Sequence, residues 1–553
     1  MLFHALRGGA SSAYVNQVCV PLSDVDGPRF AAAWERVTQE HAILRAGFAW
    51  EGDLPQPLQW IHRQLPSPVQ HLDWRARSAE QAKLDLAELA DAQRDQGFDL
   101  RQPPLQRVLL VRLGESDYQL IWTRHHILLD GWATARMIEE VLLHYRGEAP
   151  VASASRYRDY LAWLGCQDAD SSQAFWNEHL RRLDEPTRLA DALPAVPAQT
   201  GHGDVRLQLD PAVTSALVAF ARRERVTLNT LVQGAWSLLL QRYTGQRSVA
   251  FGATVAGRPT ALADAERVLG LFINTLPIIQ APGPERLLGD WLRDLQSLNL
   301  KVREHEHTPL FDIQRWAGQG GQALFDSVLV FENYPVDSAL RSGSGVRFGQ
   351  VISRETTHYP LTVVIHAGDT LNVQLSYLLG AFEATSVVRL GEHLQNLLLA
   401  MASQAQGPST LCLGELCMLE ATEQRQLADL NATRHDYPEY ANLPDLIDRQ
   451  VRATPDALAL VCGDIRLSYA ELDARANQLG HWLQSQGVGP DVPVAVSAER
   501  SVELVVALLG VIKAGGAYLP LDPEHPRERL QGMLADSGSP LLLTQTHLLD
   551  KWA

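Results

Sequence analysis

The chain has 553 residues, 46% of them hydrophobic and 20% charged, which is the composition of a folded globular protein and excludes a disordered or collagen-like one. At roughly 150 residues per domain it holds about three or four folding units. Lys and Arg number 48 against 64 Asp and Glu, a formal charge of -16 with no basic run, which argues against a nucleic-acid backbone as partner.

Taken in chain order, Gln17–Leu22 reads as a strand, Asp26–His41 as a helix, Leu105–Leu113 and Tyr118–His126 as strands, and Gly131–Tyr145 as a helix that Gly147 can end. The segment Asp168–Gly201 is polar and helical, then Pro-rich, and reads as a crossing between two lobes. A similar pattern restarts after it. Strands are expected at Asp204–Leu209, Ser248–Val255, Ser327–Glu332, Tyr359–His366 and Leu371–Tyr377, with helices at Pro211–Glu224, Leu228–Tyr243 and Glu383–Gln404. Gly407–Pro408–Ser409 breaks the last helix, and Asn431–Pro444 reads as a turn-rich linker. Beyond it, a helix Asp445–Thr454, strand Ala457–Val461, helix Tyr469–Gln486, strand Val492–Val496 and helix Val502–Ala514 alternate as in a parallel α/β sheet.

Cys19, Cys166, Cys412, Cys417 and Cys462 are odd in number and scattered, with no CxxC pair and no zinc spacing, which fits a reducing, cytoplasmic compartment. The opening Met1–Leu6 has neither a basic n-region nor a long apolar stretch, and no segment reaches the 18 or so apolar residues of a membrane helix. The glycine clusters Gly318–Gly321 and Ser342–Gly345 lack the strand-loop-helix order of a phosphate loop and read as loops.

The segment that concentrates chemistry is His125-His126-Ile127-Leu128-Leu129-Asp130-Gly131, two imidazoles, a carboxylate and a glycine in a strand-to-helix turn. Consecutive strand residues face opposite sides, so one histidine faces a cleft and the other the packed interior. Histidine can accept a proton or donate a hydrogen bond near neutral pH. An inward Asp130 calls for a cation.

This segment resembles HHxxxDG, the signature of nonribosomal peptide synthetase condensation domains. Thr38–Phe48 is similar to that family's RHExLRxxF segment, departing from it at Glu40 and Ala42. Tyr157–Trp163 resembles its YxDYAxW segment and Leu269–Pro277 its GxFxNTLP segment, all in the family's order within residues 1–405. Ala133 stands where a Ser commonly follows HHxxxDGW. The resemblance implies an α+β fold, two chloramphenicol-acetyltransferase-like lobes in a V-shaped pseudo-dimer with a tunnel between them. It also implies that His126 is the catalytic residue at the tunnel centre, with His125, Asp130, Gly131 and Arg45 completing the active-site motif. Asp130 is implied to pair with Arg45 and hold the turn, and Gly131 to permit the tight backbone before the helix.

The implied reaction is attack by the amine of a carrier-bound aminoacyl acceptor on a donor thioester. It needs no enzyme nucleophile, in keeping with the absence of a GxSxG elbow. No cofactor is expected on the chain itself; the resemblance implies that 4'-phosphopantetheine arrives on separate upstream and downstream carrier domains. Met1–Leu6, Leu128–Trp132, Gly270–Asn274 and Leu324–Pro335 resemble the subtype that joins a D-configured donor to an L-configured acceptor, which implies an upstream epimerization domain. The alternatives are an L-to-L condensation subtype and a non-catalytic recruitment domain of the same fold. A free-standing acyltransferase using coenzyme A fits the following segment poorly. An epimerization role lacks its EGHGR-like segment, and heterocyclization is disfavoured by His125 and His126, where that subtype has Asp.

Leu467–Leu472 and Val511–Pro523 resemble the first two motifs of adenylation domains, while no Ser/Thr/Gly-rich loop for ATP phosphates follows them. The expected organisation is therefore a condensation N-lobe at 1–165 lacking most of its first motif, a C-lobe at 166–405, a linker at 406–440, and at 441–553 the N-terminal part of an α/β adenylation domain, inactive by itself.

Overall fold

The computed structural model describes residues 14–50, 57–318, 322–332, 346–405, 410–436 and 442–552. Met1–Leu6, residues 319–321 of the first glycine cluster, Asn333–Pro335, Ser342–Gly345, Gly407–Ser409 and residues 437–441 of the expected linker lie outside them.

Asp26 caps the helix Gly27–Glu40 by accepting from the Arg29 N–H at 3.0 Å, and Pro28 fits the first turn, where no N–H is needed. Phe30, Trp34 and Val37, spaced by four and three, bury one stripe of that helix. Trp34 meets Trp122 of the strand Tyr118–His125 edge-on, with ring centroids 5.0 Å apart. This strand is central in a six-stranded sheet whose order is Arg347–Phe348, Val15–Ser23, Tyr118–His125, Gln106–Arg112, Val69–Asp73, with Ile352–Arg354 also paired to Val15–Ser23. The helix Gly131–Arg146 follows the central strand directly and ends at Gly147, whose φ of 84° is the left-handed cap expected of glycine.

The second sheet, also six-stranded, runs His202–Leu209, Leu371–Leu378, Leu361–Ala367, Ser327–Glu332, Val249–Val255, Asn274–Gln280. Its core is closed by the helices Pro211–Glu224, Leu228–Thr244, Leu288–Glu304 and Ala384–Ala402. Leu228–Thr244 is buried on every side from Thr230 to Leu240, its few polar residues Thr230, Gln233 and Ser237 included.

The two sheets are not built from separate stretches of sequence. Residues 347–348 and 352–354, which lie inside the second half, pair antiparallel with Val15–Ser23 of the first sheet. The stretch read as linker also differs from free chain over its first part. Leu413 and Leu416 are buried in the second core, the Leu288 N–H donates to the Leu411 carbonyl at 2.9 Å, and Ala421–Leu430 is helical. Apolar residues spaced over 411–418 find the exposed end of the second core and cover it.

Residues up to Leu427 form one compact unit and those from Ala428 another. In the second, Pro493–Ser497 is the middle of a three-stranded parallel sheet between Ala517–Pro520 and Leu541–Thr544. The strand Leu458–Cys462 does not join it, contrary to the alternating pattern. It pairs antiparallel with Ile465–Ser468 through a turn in which Gly463 has φ 58°. Asn442 caps the helix Leu443–Ala453, so Leu443 and Pro444 belong to the helix and not to the linker. Lys513, mostly buried, ties three helices together through Asp448 at 2.5 Å and Asp473 at 2.7 Å. Burial alone would lower its pKa, but the two carboxylates outweigh this and raise it.

Candidate active site

The strand ends at His125 and the helix begins at Gly131, so His126–Asp130 form a turn at the end of the central strand. The backbone fixes it from both sides: the His125 N–H donates to the Leu105 carbonyl at 3.0 Å and the His126 N–H to the Tyr14 carbonyl at 2.8 Å. Tyr14 holds a φ of 67°, a left-handed conformation uncommon for a bulky residue, where it presents that carbonyl.

Alternation separates the histidines as expected. His125 is 3% exposed and its Nδ1 accepts from the Ile127 N–H at 3.1 Å. Burial, with the nearby His126 acting in the same direction, pushes its pKa down to about 3, so it is a neutral core residue at ordinary pH. His126 instead lines a cavity of about 2170 Å³, several times the volume of an ordinary small-molecule pocket. Its Nδ1 lies 2.9 Å from the Leu129 carbonyl oxygen. A carbonyl only accepts, so Nδ1 carries the proton, and neutral His126 keeps its lone pair on Nε2.

Asp130 is wholly buried and fully used. Oδ1 accepts from the Ala133 N–H at 2.8 Å, the N-cap of the helix, and Oδ2 from the Phe272 N–H at 3.0 Å. The cation beside it is Arg258, whose Nη2 is 2.9 Å from Oδ1 and 3.2 Å from Oδ2. The expected partner, Arg45, is not there: it donates to the carbonyls of His62 and, at 3.0 Å, Arg63. Arg45 closes a short helical turn and reaches the neighbouring strand end, while Arg258 arrives from the second half of the unit. What lets it arrive is Gly257, at φ 61°, where a Cβ would stand 1.9 Å from the Phe272 carbonyl oxygen. Gly131 also differs from expectation: it is the first helical residue, lies on the cavity wall, and its φ is not left-handed.

The other motif segments converge on the same place. Tyr157 donates to the Leu271 carbonyl at 2.8 Å, Tyr160 packs on Phe272 with centroids 4.4 Å apart, and the Asp130 N–H reaches the Gly270 carbonyl at 3.3 Å. The Thr38–Phe48 segment grips the helix after the turn, with His41 on Glu140 at 2.6 Å and Glu40 on His144 at 3.0 Å. Ala133, 1% exposed, fills a site where a serine would bury a hydroxyl.

Sequence reasoning missed Arg258, and it missed three polar groups on the cavity wall: Arg124, Asn16 and Glu355. The side chain of Glu355 is open to the cavity interior. Burial and the neighbouring Glu332 carboxylate push its carboxyl upward, against the pull of His126 and Arg124. Arg124 was legible by alternation, two residues before His126 and therefore on its face. Arg258 had as its signal a Gly-Arg-Pro just after the strand Val249–Val255.

The condensation-domain family model matches residues 1–428, and that of AMP-binding enzymes matches residues 447–553. A linear gramicidin synthase protein of Brevibacillus parabrevis is 42% identical over 558 residues, covering 99% of this chain and 11% of that protein. A second protein of the same synthase is 39% identical, covering 100% and 7%, and tyrocidine synthase 2 of the same organism 32% identical, covering 100% and 16%. The chain thus spans only 7% to 16% of the length of these relatives. Among solved structures, a four-domain nonribosomal peptide synthetase, holo-AB3403 bound to AMP and glycine, is similar with TM-score 0.70 and 23% identity over 98% of this chain and 42% of that one. The first condensation domain of the calcium-dependent antibiotic synthetase, in complex with a substrate analogue, is similar with TM-score 0.62 and 18% identity over 76% and 97%. At these identities the structures speak for the fold.

Proposed function

Because the chain belongs to the condensation-domain family of nonribosomal peptide synthetases, with an AMP-binding match behind that domain, we propose that it forms an amide between a carrier-bound peptidyl donor thioester and a carrier-bound aminoacyl acceptor. The observation that carries this reading is His126 on the cavity wall, with Nδ1 held by the Leu129 carbonyl and the Nε2 lone pair available. The acceptor amine attacks the donor carbonyl; the C–N bond forms and the C–S bond breaks. His126 Nε2 takes the ammonium proton and returns one to the leaving thiolate, while orienting the amine for attack. Asp130 and Arg258 act at a distance from the reacting atoms, by fixing the turn that presents His126.

The donor is read as D-configured from the sequence of Met1–Leu6, Leu128–Trp132, Gly270–Asn274 and Leu324–Pro335, with an epimerization domain upstream and phosphopantetheine arms on carriers at either side. The chain is read as divided at 1–165, 166–405, 406–440 and 441–553, with the strands Arg347–Phe348 and Ile352–Arg354 paired into the first lobe's sheet. Residues 441–553 alone are read as unable to activate an amino acid, since they contain no Ser/Thr/Gly-rich phosphate loop. Five unpaired cysteines support a cytoplasmic setting, and among the described residues no helix is long and apolar enough to cross a membrane.

The test incubates the chain with separately loaded donor and acceptor carriers, with D- and L-configured donors in parallel, and detects the amide by mass spectrometry. Product with the D donor is expected, and His126→Ala should lose it by about a hundred- to ten-thousand-fold with an unchanged melting temperature. Preference for the L donor would make the domain an L-to-L catalyst. No product with either donor would favour the recruitment role.

A further inference from the structure

Arg124 and His126 both line the cavity, while His125 between them is turned into the core. Strand residues advance about 3.3 Å each, so the two cavity-facing residues are rooted about 7 Å apart along the chain. On the adjoining strand Asn16 pairs with Arg124, and the register of Gln17 with Arg354 carries Glu355 into the same row. Opposed residues of antiparallel strands share a face, and Arg124, Asn16 and Glu355 all reach the cavity.

The inner two members of this row are 2% exposed and incompletely bonded. Arg124 Nη2 donates to Thr134 Oγ1 at 2.9 Å, and its guanidinium lies 4.2 Å from the centre of the Trp122 ring. Its Nε and Nη1 have no hydrogen-bond partner among the described residues, and neither has Asn16 Oδ1. Buried donors and acceptors are ordinarily paired, and an unpaired charged donor is the costliest exception. Burial lowers the Arg124 pKa to about 10, which leaves it a cation at neutral pH. A carboxylate ligand would satisfy the guanidinium but not Asn16 Oδ1, and it would meet Glu355. A neutral group with one acceptor and one donor satisfies both residues.

Resting on the condensation reading, we propose that Arg124 and Asn16 form a subsite for a secondary amide. The free Arg124 N–H groups donate to its carbonyl oxygen and Asn16 Oδ1 accepts its N–H, so that the reacting carbonyl is held at His126. Two substrate parts carry such an amide near the thioester: the last peptide bond of the donor chain and the cysteamine-end amide of the pantetheine arm.

Three stable ketone analogues, with methylene in place of the thioester sulfur, separate these sources: N-acetylalanyl on pantetheine, a hydrocarbon acyl chain of equal length on pantetheine, and N-acetylalanyl on a plain alkyl group. They are titrated calorimetrically into the 553-residue chain and its Arg124→Met variant, which keeps side-chain volume and removes a buried charge. Loss of the recognised amide should weaken binding to the wild type about tenfold and leave binding to the variant unchanged. Discrimination against the second analogue assigns the subsite to the donor peptide bond; against the third, to the pantetheine arm. Equal weakening of all three by the substitution, retained discrimination in the variant, or no measurable binding to the wild type would overturn the proposal. Intact discrimination without product in the loaded-carrier assay would instead refute the condensation reading alone.

Discussion

Within the eight residues from Arg124 to Gly131 lie two regions of opposite character. At the Asp130 end both carboxylate oxygens are occupied, by a helix N–H, a loop N–H and a guanidinium, and the residue is wholly buried. At the Arg124–His126 end, in residues that line the cavity, two buried guanidinium nitrogens have no hydrogen-bond partner among the described residues and one imidazole nitrogen keeps its lone pair. A saturated polar cluster contributes rigidity, whereas an unsaturated one at a cavity wall leaves bonding capacity for a ligand. The contrast separates the members of one sequence motif into those that hold the turn and those that meet substrate.

The largest effect expected at the holding end comes from breaking the buried pair. Asp130→Asn leaves Arg258 an underpaired cation, and Arg258→Met leaves Asp130 with backbone donors only. Each should cost about 3–5 kcal/mol in chemical denaturation of the first unit, with lower soluble yield, and the double variant should cost less than the sum. Unchanged stability in Arg258→Met would remove the clamp from the comparison.

A smaller effect, of definite sign, belongs to His125. Its folded pKa, about 3, is below the ordinary 6.5, so between these values the unfolded chain binds a proton that the native chain does not. The neutral form is fully accommodated above pH 6.5, and stability drains away as pH falls from 6.5 toward 3. Between pH 7 and 5 this contributes a loss of about 2 kcal/mol, which His125→Asn should abolish while its side-chain oxygen still accepts from Ile127. Parallel urea midpoints of wild type and variant across that range would show His125 to be titrating freely in the native state.

Much of this arrangement was legible in the sequence because it rests on local rules. The helix Pro211–Glu224 and the strand Ser327–Glu332 occur at the expected bounds, and the alternation that buries His125 and exposes His126 to the cavity follows from strand geometry. Short or solvent-facing elements carried weaker patterns. Leu58–Ile61 and Val69–Asp73 went unread because their residues are mostly exposed or half-buried, and Ile352–Arg354 because all three of its residues are exposed. The pairing of Asp130 was illegible for another reason. It joins residues 128 positions apart, and two arginines were available; only the left-handed backbone at Gly257, packed against Phe272, decides which one arrives.

Arg45 is therefore the most sensitive probe of the comparison. The sequence pattern assigns it to Asp130, and the structure assigns it to the carbonyls of His62 and Arg63 at the edge of the strand Leu58–Ile61. Those carbonyls are partly reached by water, which can replace the guanidinium when it is removed. Arg45→Ala should then cost only about 1–2 kcal/mol and leave Asp130, the turn and amide formation unaffected. A loss equal to that of Arg258→Met, or one non-additive with Asp130→Asn, would return the role of counter-ion to Arg45 and open the closed end of the motif.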